Sequence, residues 1–182
     1  TNFEFDTITN KPNFDYSRGG NPTRDLLAQA LAELERGKGA VVTSSGMAAI
    51  NLVLQLLTPN DTLVAPKDCY GGTHRLFTSL AKRGGFNLVW LDFYAEDIEK
   101  QLLQTKPQMI WLETPSNPLL RLTDIKQFCQ VAKQVNAKVV VDNTFLSPLG
   151  QSPIALGADI VVHSCTKYLN GHSDVISGAV IS

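Results

Sequence analysis

Apolar positions along the chain fall into short runs of two kinds, and the two kinds alternate. Brief β-branched or aliphatic stretches read as strands over Ala40–Thr43, Thr62–Pro66, Asn87–Asp92, Met109–Glu113 and Lys138–Asp142, with a sixth opening at Asp159. Between them the apolar residues recur at helical spacing. Thr23 caps a first helix on which Leu26, Leu27, Ala30, Leu31 and Leu34 repeat, and Gly37 and Gly39 end it. Further helices run from Ser44-Ser-Gly-Met47 to about Leu57, from Tyr70-Gly-Gly through Arg83, from Ala95 to about Thr105, and from Thr123 to Val135. Turn signals punctuate them at Pro59-Asn60-Asp61, at the Pro-rich loop Thr114–Leu120 and along Asn143–Pro153. Residues 1–15 keep no period and read as an extended arm; Tyr16-Ser-Arg-Gly-Gly-Asn-Pro-Thr23 is a turn-rich loop. Asp174–Ser182 makes a seventh strand, placed antiparallel because almost no crossover precedes it.

Strands alternating with helices predict an α/β fold with a mostly parallel seven-stranded sheet and helices on both faces. In such sheets ligands bind at the carboxyl ends of the strands. That is where the unusual residues fall: Ser44 to Met47, Tyr70, Asn117, Asp142 and Ser164 to Lys167.

Composition narrows this picture. At 182 residues and 43% hydrophobic content the chain can bury one core. Residues 1–23 form the arm and loop, and residues 24–182 form the domain. Sixteen basic against seventeen acidic residues, with no basic block, give no electrostatic support to a nucleic-acid or membrane-surface partner. Cys69, Cys129 and Cys165 are odd in number and widely spaced, which fits a reducing, cytoplasmic compartment. No apolar run approaches the roughly 20 residues that span a bilayer. The chain opens on Thr1 and stops at Ser182 directly after an apolar run, so it is expected to be a piece of something longer.

Each strand-end loop admits a plain reading beside a chemical one. Ser45-Gly46-Met47 ends a strand and opens a helix; it is an ordinary N-cap or a phosphate-binding helix N-terminus. No G-x-G-x-x-G and no G-x-x-x-x-G-K-[ST] occurs, which counts against dinucleotide and P-loop binding. Asp142 follows a buried strand and needs a partner, either an Asx-type turn with Asn143 or a cationic ligand group. Tyr70 is a half-buried loop tyrosine or a stacking platform. His163, Cys165 and His172 lack the spacing of a metal set, so core or loop packing is expected and no metal. Lys167 is a solvated loop lysine or an amine activated by burial.

Taken together the chemical readings converge. A lysine to form a Schiff base, an aspartate to keep a pyridinium protonated, hydroxyls and a helix N-terminus for a phosphate, and an aromatic ring to stack are what pyridoxal 5′-phosphate requires.

The motifs point the same way. Asp159-Ile-Val-Val-His-Ser-Cys-Thr-Lys-Tyr-Leu-Asn-Gly-His-Ser173 resembles the signature of the Cys/Met-metabolism family of pyridoxal-phosphate-dependent enzymes. So do Tyr16–Thr23, Thr43–Ala49, Asp68-Cys-Tyr-Gly-Gly72, Glu113-Thr-Pro-Ser-Asn-Pro118 and Val141-Asp-Asn-Thr-Phe145, and the match runs from Asp15 to Ser182. The resemblance implies the large domain of the aspartate-aminotransferase fold (fold type I). It implies that Lys167 carries the cofactor and shuttles protons, and that Asp142 pairs with the ring nitrogen. Asn117 would sit near the ring hydroxyl, and Gly46, Met47, Ser164 and Thr166 would hold the phosphate. Tyr70 would stack and assist acid–base steps, while Tyr16 and Arg18 would reach the site of a neighbouring subunit in a homotetramer. Asp68–Gly72 with Arg75-Leu-Phe77, and Ser116–Arg121, are most similar to the family's bacterial γ-replacement branch. That branch joins an O-acylhomoserine, here expected to be O-succinylhomoserine, to L-cysteine and yields cystathionine for methionine biosynthesis. γ-Lyase, β-lyase and O-acylhomoserine sulfhydrylase branches share nearly all these motifs. Family chains carry a further C-terminal domain that binds the substrate carboxylate, so the 182 residues alone are expected to turn over nothing.

Overall fold

The computed structural model describes residues 3–4, 7, 9–10 and 12–182; part of the expected arm therefore lies outside the described residues. Its elements run α1 (Pro22–Glu35), β1 (Ala40–Thr43), α2 (Gly46–Leu54), β2 (Thr62–Pro66), α3 (Gly71–Lys82), β3 (Asn87–Leu91), α4 (Ile98–Thr105) and β4 (Met109–Glu113). They continue with α5 (Ile125–Val135), β5 (Lys138–Asp142), α6 (Ser147–Gly150), β6 (Ile160–His163) and β7 (Gly178–Ile181). All seven strands form one sheet in the order β1-β7-β6-β5-β4-β2-β3. β2 to β6 are mutually parallel, and β7 lies antiparallel between β1 and β6. The expected fold class and the antiparallel seventh strand are both observed.

The alternation of side chains along buried strands divides the core into two faces. Leu63, Ala65, Trp111, Val140 and Val162 face α2 and α3. Val64, Ile110, Leu112, Val139 and Val141 face α4 and α5, and further along that same face α1 covers Val161, Cys165, Ala179 and Ile181. Trp111, Leu63, Val140 and Val162 are fully buried. Burying such side chains stabilises the fold by roughly 1.5–3 kcal/mol each before entropy is counted.

Element ends differ from the sequence reading for local reasons. α1 is capped by Asn21, whose Oδ1 accepts from the N–H groups of Thr23 and Arg24, rather than by Thr23. Pro22 explains the shift, since its fixed φ and missing N–H suit the first helical position. Asp124 likewise caps α5, whose first helical residue, Ile125, lies two residues after the expected start at Thr123. The segment Asn143–Pro153, expected to be mostly loop, contains the single-turn α6, and a 3-10 turn follows it at Ile154–Leu156. On α1 only Leu31 of the expected apolar stripe is buried; Leu26 (66%), Leu27 (43%), Leu34 (57%) and Ala30 are exposed. No helix among the described residues is long and apolar enough to cross a membrane.

Candidate active site

β3 lies outside β2, and the chain crosses back to place β4 on the other side of β2. Connections therefore leave in opposite directions at the β2–β4 boundary, the kind of switch point that opens a crevice at the strands' carboxyl ends. A cavity of about 680 Å³ occupies that end of the sheet. Gly46 and Met47 (after β1), Tyr70 (after β2), Glu113 and Asn117 (β4), Asp142 and Thr144 (β5), and Ser164, Thr166 and Lys167 (β6) all line it.

The start of α2 shows how the loop after β1 serves two ends. Ser45 Oγ caps the helix by accepting from Ala48 N–H at 3.1 Å. The N–H groups of Gly46 and Met47, which no helix can satisfy internally, have no partner among the described residues and suit an anion at the positive end of the dipole. Gly46 must be glycine here: a Cβ would meet Ser164 Cβ at 2.6 Å and Oγ at 2.9 Å. The helix is thus pressed against the end of β6. Gly72 does the same for Tyr70, whose Cε1 would lie 2.5 Å from an added Cβ, and the tyrosine keeps 45% of its surface exposed over the cavity.

Asp142 makes the Asx-type turn with one oxygen and leaves the other open to the cavity. Oδ1 accepts from Thr144 N–H (3.1 Å) and Thr144 Oγ1 (2.6 Å), an Asx-type turn. Oδ2 has no hydrogen-bond partner among the described residues. Thr144 Oγ1 also accepts from Ser164 N–H at 2.9 Å, so this hydroxyl ties the end of β5 to the end of β6. Burial pushes the Asp142 carboxyl up from its ordinary range, against the lowering effect of the Thr144 bonds. A buried carboxylate in that state fits a cationic ligand group, which would restore the charged form.

Glu113 stands beside it, in register with Asp142 on the neighbouring strand. Its carboxylate accepts from Tyr70 N–H (3.0 and 2.9 Å to its two oxygens) and Asn117 N–H (2.7 Å). Burial, and next the Asp142 charge, push its pKa up to about 8. Burial and the same carboxylates push the Cys69 thiol up to about 12, so it is not a nucleophile.

The structure overturns the burial expected of Lys167 and shows where the other candidates lie. Lys167 is exposed at the cavity rather than buried. The Thr166 hydroxyl donates to Ser177 O and accepts from Ser177 N–H, both at 3.1 Å, so its one donor is already used. Ser164 Oγ is the unengaged hydroxyl of the pair among the described residues. Tyr16 and Arg18 stand apart from this chain's cavity, both exposed, with the guanidinium 5.0 Å from the tyrosine ring centroid. His163 and Cys165 are core residues on the α1 face, as read from the sequence. Thr144 and Glu113 were missed as site residues. The Asp-x-Thr spacing could have flagged Thr144; nothing local flags Glu113.

The residues present fit pyridoxal phosphate: an amine, a buried carboxylate lacking a cation, free helix N–H donors beside a free serine hydroxyl, and an aromatic ring, all on one cavity. The sequence model of the Cys/Met metabolism PLP-dependent enzymes matches residues 1–182. The chain belongs to this family. Its cofactor is pyridoxal 5′-phosphate. Cystathionine γ-synthase of Escherichia coli (strain K12) is 59% identical over 169 residues, covering 92% of this chain and 44% of that protein. Cystathionine β-lyase MetC of Staphylococcus haemolyticus is 47% identical, covering 93% of this chain and 43% of that protein. A crystal structure of cystathionine γ-synthase from Xanthomonas oryzae pv. oryzae, in complex with aminoacrylate and cysteine, superposes with a TM-score of 0.94 at 56% identity. It is covered to 47%, and this chain to 100%. The chain thus spans under half the length of the relatives it matches.

Proposed function

We propose that this chain builds the cofactor site of an enzyme that joins an O-acylhomoserine, O-succinylhomoserine foremost, to L-cysteine to give cystathionine. The carrying observation is the convergence of Lys167, Asp142, Tyr70 and the Gly46–Met47 N–H groups on one cavity. The choice of γ-replacement is supported by the higher identity to the γ-synthase than to the β-lyase. Bound pyridoxal phosphate supplies an electron sink for charge developing at the substrate's α and β carbons. Lys167 is the amine that holds the cofactor's aldehyde and, once released, moves protons at those carbons. Asp142 Oδ2 provides the counter-charge to the ring nitrogen. Tyr70 would cover the ring, and Asn117 would stand by its hydroxyl. Gly46, Met47 and Ser164 would donate to the phosphate, with Thr166 behind them.

Tyr16 and Arg18 are proposed to reach the site of a second copy in a homo-oligomer, a dimer of dimers. Their distance from this chain's own cavity and the exposed leucines of α1 support it. A cytoplasmic location is supported by three buried, unpaired cysteines.

The deciding experiment is the visible spectrum of the full-length protein with pyridoxal phosphate. An absorbance band that Lys167→Ala removes is expected, and its absence in the parent protein would sink the reading. Cystathionine formation from O-succinylhomoserine and cysteine is then compared with cleavage of cystathionine alone; dominant cleavage would reassign the reaction to a lyase.

A further inference from the structure

The roles above leave one buried ionisable group on the cavity without a task. Glu113 ends β4 at 5% exposure, and no salt bridge joins it to a cation among the described residues. Its three hydrogen bonds all come from backbone N–H groups, and they come from two separate loops. Tyr70 is 43 residues away in sequence, at the start of α3, whereas Asn117 is four residues on, in the loop after β4. Tyr70 precedes a helix that has no side-chain cap, so the carboxylate also lies near the positive end of that helix's dipole. Ser116, next to Asn117, donates to the Asp68 carboxylate and accepts from Arg121 N–H at 3.0 Å, closing the same loop from its other side.

We propose that Glu113 is a positioning residue of the cofactor site, holding the Tyr70 and Asn117 backbones in place while lending negative charge to the site beside Asp142. The proposal rests on the cofactor reading given above. A neutral apolar side chain could fill the volume, but it would leave two inward-pointing N–H groups unpaired at the site where two cofactor-contacting side chains begin. An amide could satisfy only part of the set, because its NH₂ end would oppose one of those donors. A carboxylate accepts from both loops at once. A cation held in the cavity would restore its charge, which next to Asp142 in register in turn favours the protonated forms of a basic nitrogen there. The other titratable groups bearing on it are Asp68 and Cys69 from the loop before α3, Tyr70 itself, and Lys167 after β6.

The test uses the full-length protein and two readouts other than turnover. These are the Kd for pyridoxal phosphate by absorbance titration, and the pH midpoint at which the bound cofactor's visible band changes. Glu113→Gln is expected to weaken binding roughly tenfold or more and to lower the midpoint by about one pH unit. Glu113→Asp keeps the charge but retracts it; the midpoint is expected to return toward that of the parent while the affinity stays intermediate. Asp159→Ala is the structural control, because Asp159 Oδ2 holds Val139 N–H (2.7 Å) at the opposite end of β5. It is expected to lower the melting temperature and to leave both readouts unchanged. Parent-like Kd and midpoint in a folded Glu113→Gln protein overturn the proposal. If that variant does not fold, a parent-like Kd in Glu113→Asp overturns it instead. A parent protein whose band survives Lys167→Ala would remove the cofactor reading rather than this one.

Discussion

The ends of β5 and β6 carry polar side chains on both faces of the sheet, and the two faces treat them differently. On the α1 face, Glu35 and His163 are fully buried with Oε1 and Nε2 2.6 Å apart. Asn143 Nδ2 donates to the same Glu35 oxygen (2.8 Å) and to Gln151 O (2.9 Å). Gln151 Nε2 donates back to Asn143 Oδ1 (3.0 Å) and on to Thr114 O (3.1 Å). Of the fully buried atoms on these side chains, Glu35 Oε2 and His163 Nδ1 alone lack partners among the described residues. On the α2–α3 face, Asp142 at the end of β5 and Glu113 at the end of neighbouring β4 line an open cavity instead, where Asp142 Oδ2 and the Ser164 hydroxyl have no partner among the described residues. Polar groups of similar type thus serve structure where they satisfy one another and ligand binding where they do not. The contrast also assigns opposite signs to their removal.

The largest effect is expected on the open face. Asp142→Asn should cut turnover by a factor of about 100 or more, as loss of a charge required in the transition state does. The cofactor-free variant should nonetheless be as stable as the parent or more so, since an unpaired buried carboxyl is relieved. Activity assays paired with urea melts check both halves, and a cofactor-free Asp142→Asn protein well below the parent in stability would break the contrast. On the closed face the order reverses. Glu35→Ala strands His163 and Asn143 and should cost about 3 kcal/mol in the same melts, while the folded fraction binds pyridoxal phosphate with near-parent affinity.

The pH response follows from Glu113 and Asp142. Both carboxyls are raised in the folded state, so between about 4.5 and about 8 the folded protein binds more protons than the unfolded chain. Stability therefore falls as pH rises through that window, by on the order of 2–4 kcal/mol for the cofactor-free protein. Bound cofactor should flatten the slope by supplying a cation to Asp142. Melting temperatures between pH 5 and 8, with and without pyridoxal phosphate, test this; a rise with pH without cofactor would refute it. The smallest effect belongs to Thr144→Val, which keeps the shape but loses the bridge from Asp142 to Ser164. About 1 kcal/mol of stability and a several-fold loss of cofactor affinity are expected, read by the same melts and titrations.

Much of the open face was legible in the sequence because strand–loop–helix alternation alone places Gly46, Tyr70, Asp142 and Lys167 at one end of a sheet. The closed face was not. Glu35 and His163 are 128 residues apart, and neither sits in a pattern that announces the other. Glu113 was hidden for a related reason. It reads as the polar end of a strand, and its partners are backbone groups, which leave no mark on composition or spacing. The register of β4 against β5 had to be known before it met Asp142. Lys167 misled in the other direction: its loop position was right, but burial was assumed from the neighbouring strand and does not extend to the side chain.

β1 is an edge strand whose partner in the sheet is β7, with Ala40 opposite Ile181 and Thr43 opposite Gly178. A ribosome delivers the first of these strands long before the last. Until residues 178–181 emerge, nothing in the sheet bridges β1 to β6, so the donors of Gly46 and Met47 are not yet anchored against Ser164. The proposed phosphate cradle is consequently assembled late in synthesis, after β7 has joined the edge strand to the rest of the sheet.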